Sequence, residues 1–121
     1  MSLVTYRVPT YMFSSELKKG SCEMLILSLL DARPRHGYEI GKLIEARSDG
    51  RLTFSLPSLY PTLLRLENRG WIKGRWVERP RERRRCFYRL TPEGRRVLAQ
   101  QRDTFDAFIT AVQAVMGKSR A

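Results

Sequence analysis

Arginine is concentrated in one segment of the chain, and its planar guanidinium group is well suited to bidentate binding of phosphate. Residues 65–96 contain twelve Lys and Arg against four Glu, so they hold +8 of the formal net charge of +11. A loop that is only solvated repels itself at this charge density and gains nothing in packing. The segment therefore indicates phosphate binding, with a solvated charged loop as the alternative.

Side chains suited to catalysis or metal binding are few. His36 is the only histidine, and it stands beside Gly37 in a turn, where a phosphate contact is a simpler role than catalysis. Cys22 and Cys86 are 64 residues apart and, with a single histidine, do not make a zinc ligand set or a disulfide framework. No glycine-rich phosphate loop with a Lys-Ser/Thr ending is found. We expect no enzyme, no metal and no cofactor.

The composition indicates one small globular domain. The chain has 121 residues, of which 42% are hydrophobic and 29% charged. Its positive charge favours polyanions as partners, and the basic residues do not lie on an amphipathic helix of the kind that binds membranes. The longest apolar run, residues 24–30, is about a third of a membrane span, and no signal peptide is recognisable. We expect a cytoplasmic protein without a membrane partner.

The pattern along the chain predicts three helices, two strands and a final helix. Helices are predicted from residue 15 to before Pro34, over residues 38–47 and over residues 56–69, where apolar residues recur at helical spacing. Strands are predicted over residues 71–77 and 86–90, joined by the basic loop 78–85. Thr91 and Pro92 mark the start of the last helix, which runs to about residue 116.

This order predicts a mainly α fold with a small β-hairpin (α+β), namely a winged helix-turn-helix followed by a C-terminal dimerisation helix. We assign residues 1–14 to an N-terminal arm, 15–91 to the winged-helix DNA-binding domain, and 92–121 to the dimerisation helix and tail. Pro61 leaves the start of the third helix open, because proline is tolerated only in the first turn. Either the helix begins near Pro57 and is strained, or regular bonding begins nearer Ser58.

The third helix is the element expected to enter the major groove and read base edges. Leu59, Leu63 and Leu66 face inward, which leaves hydrogen-bonding side chains nearer the outer face. Any exposed helix carries polar residues outside, and the ring of Tyr60 also suits a core position or a phosphate contact. The outer set is Ser58, Tyr60, Thr62, Arg65 and Arg69.

Three motifs in order resemble the PadR family of bacterial transcriptional regulators, in the branch with a single C-terminal helix. They are residues 34–40, residues 58–67 with 70–72, and residues 84–91 with Gly94, and the match runs from about residue 17 to 98. The resemblance implies a winged helix, dimerisation through the last helix, and repression that a small-molecule effector relieves. It also implies DNA-facing roles for Tyr38, Ser58, Tyr60, Pro61 and the basic hairpin. Leu56-Pro57 and Cys86-Phe87 depart from the usual pattern.

The residues and the resemblance together predict one DNA-binding set, spread over the second helix, the third helix and the hairpin. The partner is double-stranded DNA, read as a pseudo-palindromic operator by two copies of the chain. The predicted DNA-binding residues are His36, Tyr38, Lys42, Ser58, Tyr60, Pro61, Thr62, Arg65, Arg69, Arg81, Arg83, Arg84 and Arg85.

The last helix predicts a homodimer. Its side chains follow a heptad-like spacing, and one small core cannot easily cover them, although packing on the chain's own first helix is the alternative. Phe108 and Val115 lie beside this row. The predicted dimerisation residues are Leu98, Arg102, Phe105, Phe108, Ile109, Val112 and Met116.

A small aromatic or hydrophobic effector is a further expected partner. Its pocket near the dimer axis would be lined by aromatic rings, which core packing or docking of the arm explains equally well. These rings are Tyr6, Tyr11, Phe13, Phe105 and Phe108.

The function predicted is that of a sequence-specific, double-stranded DNA-binding transcriptional regulator, a repressor relieved by an effector. The alternative is a winged-helix module that binds structured RNA, or serves protein assembly, without reading sequence. Competition between a specific duplex, a scrambled duplex and a structured RNA separates these two functions.

Overall fold

The computed structural model describes residues 15–118, which form four helices and three short strands. The arm at residues 1–14, with the rings of Tyr6, Tyr11 and Phe13, lies outside the described residues. In chain order the elements are α1 (Ser15–Leu30), β1 (Arg35–His36), α2 (Gly37–Arg47), α3 (Leu56–Asn68), β2 (Ile72–Val77), β3 (Arg85–Leu90) and α4 (Pro92–Met116).

The core lies where α1, α2 and α3 pack together and meet the sheet and the start of α4. Each helix contributes apolar residues three or four positions apart, as an amphipathic helix does when one face is buried. The largest side chains in it have less than 2% of their surface exposed, and they are Ile26, Leu27, Ile40, Leu59, Leu63, Leu66, Ile72 and Leu98.

The sheet is antiparallel, with strand order β1-β3-β2. The hairpin of β2 and β3 was expected, whereas β1 was assigned to a turn. Arg35 of β1 is 6% exposed, and its guanidinium donates from Nε to the carbonyl oxygen of Leu29 at 2.8 Å and from Nη1 to the carboxylate of Glu39 at 3.1 Å. This buried arginine joins the end of α1 to the start of α2, and so fixes the position of α2 relative to α1.

The start of α4 belongs to the same core. Thr91 caps the helix by accepting from the backbone N–H of Gly94 at 3.0 Å, while its hydroxyl donates to the carbonyl oxygen of Gly70 at 2.6 Å. Leu98 is 1% exposed within this chain. Its assignment to the dimer interface is therefore wrong, because the first turns of α4 pack on α1 and β3 and leave no surface of Leu98 for a partner.

The predicted winged helix is confirmed, with small differences at the ends of some elements. α2 begins at Gly37 instead of Tyr38, and β3 begins at Arg85 instead of Cys86. α3 begins at Leu56, so Pro57 occupies its first turn and Pro61 lies inside the helix. Below, the wing is β2, β3 and the loop 78–84 between them.

Candidate nucleic-acid interface

The N-terminus of α3 is held by serines. The hydroxyl of Ser55 accepts from the backbone N–H of Ser58 at 3.3 Å, and the two side-chain oxygens are 2.9 Å apart. A serine at this position satisfies one of the backbone donors that a helix start leaves free. Ser58 was predicted to face DNA, and it is exposed, with its hydroxyl shared with this cap.

Thr62 does not lie on the outer face, and its prediction as a base-reading residue is wrong. The residue is 5% exposed, and its hydroxyl accepts from Nη2 of Arg65 at 3.1 Å. It lies three residues after Leu59 and four before Leu66, so the helical repeat places it on the buried face with them. The polar hydroxyl suggested an exposed position, but this spacing decides the face.

Arg65 and Arg69 are exposed but lie on the side of α3 that faces α1. Nε of Arg65 is 3.7 Å from the carboxylate of Glu23, and Nη1 of Arg69 donates to the same carboxylate at 2.9 Å. The guanidinium of Arg69 also lies 4.9 Å from the ring centre of Trp71. Two of the predicted DNA-binding arginines are thus partnered within the chain.

The start of α2 gathers three of the predicted residues around His36. Nδ1 of His36 accepts from the backbone N–H of Glu39 at 3.2 Å and so caps α2, while Nη1 of Arg85 is 3.5 Å from the same nitrogen. Tyr38 is 50% exposed, with the ammonium of Lys42 5.6 Å from its ring centre. Tyr38, Lys42 and Arg85 therefore form one cationic and aromatic rim.

Burial lowers the pKa of His36 below its usual value, and the positive charge of Arg85 lowers it further, against the opposing effect of Glu39. A neutral ring is the form that can accept the hydrogen bond of the cap. The histidine thus has a structural role at the helix start, and it is placed where a backbone phosphate can approach the helix N-terminus.

The wing exposes its arginines. Arg81, Arg83 and Arg84 are exposed, and Arg81 adopts a left-handed backbone with φ of 65°. The guanidinium of Arg84 lies 4.4 Å from the ring centre of Trp76, an aromatic residue on β2 that is 58% exposed. Trp76 was not among the predicted site residues. Its cross-strand partner, Cys86 beside the arginine run, is the signal that could have identified it.

A hydrogen bond joins the wing to α3, in addition to the packing of β2 against this helix. The backbone N–H of Gly74 on β2 donates to the carboxylate of Glu67 at 3.0 Å. A Cβ at position 74 would lie 2.7 Å from Sγ of Cys86, so any side chain there would force Cys86 to shift. The glycine lets the strand approach the helix closely enough for this hydrogen bond.

A groove of about 440 Å³ runs between the start of α2, α3 and the wing. The structure thus brings six of the thirteen predicted DNA-binding residues around one groove, whereas Ser58, Arg65 and Arg69 lie on the other side of α3. Side chains lining the groove include His36, Tyr38, Leu56, Tyr60, Trp76, Arg83, Arg84 and Arg85.

Metal-binding and thiol groups are limited in residues 15–118. This part of the chain holds no group of three His, Cys, Asp or Glu side chains that could bind a metal ion. Cys22 and Cys86 are free thiols whose pKa values are raised by burial. No helix in it is long and apolar enough to cross a membrane.

The predicted dimerisation residues of α4, other than Leu98, retain surface in the single chain. Phe105 is 43% exposed, Phe108 62% and Met116 62%, while Ile109 and Val112 are half-buried. Nη1 of Arg102 lies 3.5 Å from the carboxylate of Asp31 at the end of α1. The apolar row beyond Leu98 is only partly covered by the rest of the described chain.

Three helices, the third of them exposed on its outer side, followed by a β-hairpin with a basic tip, define a winged-helix protein of the DNA-binding type. Residues 26–100 match the family model of the transcriptional regulator PadR-like family. The chain therefore belongs to this family, as the motifs predicted, and its members are transcriptional regulators and not enzymes.

Solved structures of similar proteins agree with this family membership. A transcriptional regulator from Clostridium thermocellum is 33% identical, with a TM-score of 0.77 over 85% of this chain and 97% of that one. A PadR family transcriptional regulator from Eggerthella lenta is 31% identical, with a TM-score of 0.72 over 84% and 86%. Bacillus subtilis PadR, solved in complex with operator DNA, shares the fold at 24% identity and a TM-score of 0.60, over 65% of this chain and 45% of that one.

Proposed function

We propose that this chain binds double-stranded DNA sequence-specifically as a homodimer and represses transcription from a pseudo-palindromic operator until a small aromatic or hydrophobic effector relieves it. The observation that carries the proposal is the single surface on which the start of α2, the outer side of α3 and the arginines of the wing surround one groove. A B. subtilis relative with this fold binds operator DNA.

The two parts of this surface suit different tasks. The exposed wing arginines, Arg81, Arg83 and Arg84, are placed to bind backbone phosphate, which supplies affinity without sequence information. α3 is the second helix of the helix-turn-helix, the element whose side chains reach base edges in the major groove. Residues 15–91 would bind the DNA, and the exposed part of 92–121 would join two copies.

The wing is tested by titrating the protein against its own upstream region, a scrambled duplex and a structured RNA at two salt concentrations. Arg83→Ala with Arg84→Ala should weaken binding to every duplex and reduce the salt slope by about 0.9 for each phosphate that is no longer neutralised. The matched control, Arg47→Ala with Arg96→Ala, removes the same charge outside the wing. It should change the affinity and the salt slope less than the wing variant does. Equal binding of wild type to all three nucleic acids would contradict sequence reading and favour a non-specific module.

The dimer is tested on α4. Phe105→Asp places a charge in the exposed apolar row and should give a monomer by sedimentation equilibrium, since burying an unpaired charge in an interface is costly. Ala107→Asp adds the same charge on the opposite side of the helix and should leave the dimer intact. A dimeric Phe105→Asp variant would exclude this row as the interface.

Repression and its relief need separate measurements. A reporter placed behind the chain's own upstream region should rise in expression when the gene is deleted, and unchanged or lower expression would contradict repression. Small aromatic acids and amines should then release the wild-type protein from the duplex. We expect the Phe108→Ala variant to need higher concentrations, and identical release of both proteins would argue against a pocket at Phe108.

A further inference from the structure

α3 carries a second apolar row, on the side opposite its buried leucines. Pro57, Tyr60, Pro61 and Leu64 follow the i, i+3, i+4, i+7 spacing that places side chains on one helix face. All four are exposed; Leu64 has 59% of its surface exposed and Tyr60 has 52%. The outer face of the helix, where base-reading side chains are expected, is therefore mainly apolar.

Most hydrogen-bonding side chains of α3 lie away from this row; the exceptions are the hydroxyl of Tyr60 and the exposed Asn68, which ends the helix four residues after Leu64. Thr62 is buried, and both Arg65 and Arg69 contact Glu23 on the α1 side. Pro57 and Pro61 have no backbone N–H, and their rings restrict the backbone. What α3 presents directly outward is thus a rigid, mainly apolar surface, on which Leu64 is the exposed aliphatic side chain other than proline.

Grooves with positively charged side chains border the row. Tyr60 lines the groove that holds the wing arginines, and Pro61 lines one with Lys18 and Arg65. Pro57 lines a third groove, in which Lys42 is accompanied by Glu45. An apolar partner, such as an apolar protein surface or a lipid acyl chain, offers no negative charge to pair with these basic side chains. Duplex DNA supplies both chemistries, with phosphates on either side of the major groove and the 5-methyl group of thymine inside it.

We infer that Leu64 is a specificity-determining residue that recognises thymine by apolar contact with its 5-methyl group, so that each operator half-site contains a thymine opposite it. This inference rests on the proposed function, since it requires α3 to lie in the major groove. Methyl contact distinguishes thymine from the other three bases without a hydrogen bond, which suits an outer face that has few donors at its centre.

The experiment begins with selection of preferred duplexes from a random-sequence library, using the full-length protein. In the best selected duplex, each thymine is then replaced singly by deoxyuridine, which removes only the methyl group. We expect one replacement per half-site to weaken wild-type binding about fourfold, the effect of exposing one methyl group. In Leu64→Ala, the same replacement should have no effect, although the variant binds the parent duplex more weakly.

Two controls make the result specific to Leu64. Leu52→Ala shortens a half-buried leucine between α2 and α3, outside the proposed DNA-binding and dimerisation surfaces, and should keep the full deoxyuridine effect. Thermal unfolding should show Leu64→Ala to be as well folded as wild type, because an exposed leucine contributes little to stability.

The outcomes separate this inference from the proposed function. A preferred duplex in which no deoxyuridine replacement changes binding more than twofold would overturn the role of Leu64 and leave sequence-specific binding intact. An equal deoxyuridine effect in wild type and Leu64→Ala would assign the methyl contact to another residue and also overturn it. If selection recovers no preferred sequence, the proposed function fails, and the inference fails with it.

Discussion

α3 and the wing lie side by side on one surface but are built in opposite ways. α3 buries Leu59, Leu63 and Leu66, so its position is set by packing, and its outer row is short and apolar. The loop 78–84 of the wing is mostly exposed and carries long arginine side chains. Packing holds α3 in one orientation, as the proposed base reading requires, whereas the proposed phosphate binding by the wing needs only charge within reach of the DNA backbone.

The strongest test of this contrast uses two neighbouring leucines. Leu63 is 1% exposed and Leu64 is 59% exposed. Leu63→Ala should lower the free energy of unfolding by about 3 kcal/mol through lost burial and a cavity, and Leu64→Ala by less than about 0.5 kcal/mol. Urea denaturation of both variants measures this. Similar losses in the two would mean that α3 is not packed by one face alone.

The junction between the two regions gives the next effect. Gly74→Ala should destabilise the protein by about 2 kcal/mol, because the added Cβ would meet Sγ of Cys86 at 2.7 Å and the Glu67 carboxylate at 3.2 Å. As a control, Gly20→Ala in α1 meets no atom of the described residues within 4 Å and should stabilise by about 0.5 kcal/mol. A neutral Gly74→Ala would show that the side chains of Cys86 and Glu67 move aside without cost.

His36 gives a smaller, pH-dependent effect. His36→Ala should cost about 1 kcal/mol through the lost cap of α2, while His36→Asn retains a capping side chain. The folded-state pKa of His36 is lowered by burial and by Arg85. As the pH falls, the unfolded chain therefore binds a proton at this histidine before the folded chain does. The free energy of unfolding is highest above about pH 6.5 and decreases as the pH drops below that value.

Chemical denaturation at pH 7.5 and 5.5 checks this dependence. The wild type should lose more stability between these pH values than His36→Asn, which has no titrating ring at this position. Equal losses in the two proteins would place the responsible group elsewhere.

The smallest effect is expected in the loop of the wing. Arg81 has a φ of 65°, a conformation that glycine adopts without steric cost. Arg81→Gly should raise stability by roughly 0.5 kcal/mol and weaken DNA binding through the lost charge. Arg79→Gly, which loses the same charge from a residue without positive φ, should instead lower stability. Thermal unfolding of both variants measures this difference. A similar loss of stability in the two would contradict the effect assigned to the positive φ of Arg81.

Local signals in the sequence were sufficient for most of the fold. The capping pair Thr91 and Pro92, the helical repeats and the aromatic strands predicted every helix and both strands of the hairpin within a few residues. β1 was missed because a strand of two residues has no period of its own. It exists only because Arg35 pairs with Tyr88 and His36 with Phe87 across the sheet.

Predictions of which helix face is buried were less successful, for one reason. Thr62 was placed outside by its hydroxyl and Leu98 in a dimer interface by its heptad spacing, yet both are buried in the chain's own core. Leu64, which we propose to contact thymine, was not among the predicted DNA-binding residues, because hydrogen-bonding side chains were expected at the base edges. Residue type and spacing describe a face, but they do not say which element covers it.

The sequence by itself determined the class of protein, because charge density, helix ends and the three motifs are local properties of the chain. α3 contains two apolar rows at helical spacing, one with Leu59, Leu63 and Leu66 and the other with Pro57, Tyr60, Pro61 and Leu64. Only the tertiary structure decided between them. The leucine row buries more aliphatic surface against α1 and α2, and this leaves the proline row exposed.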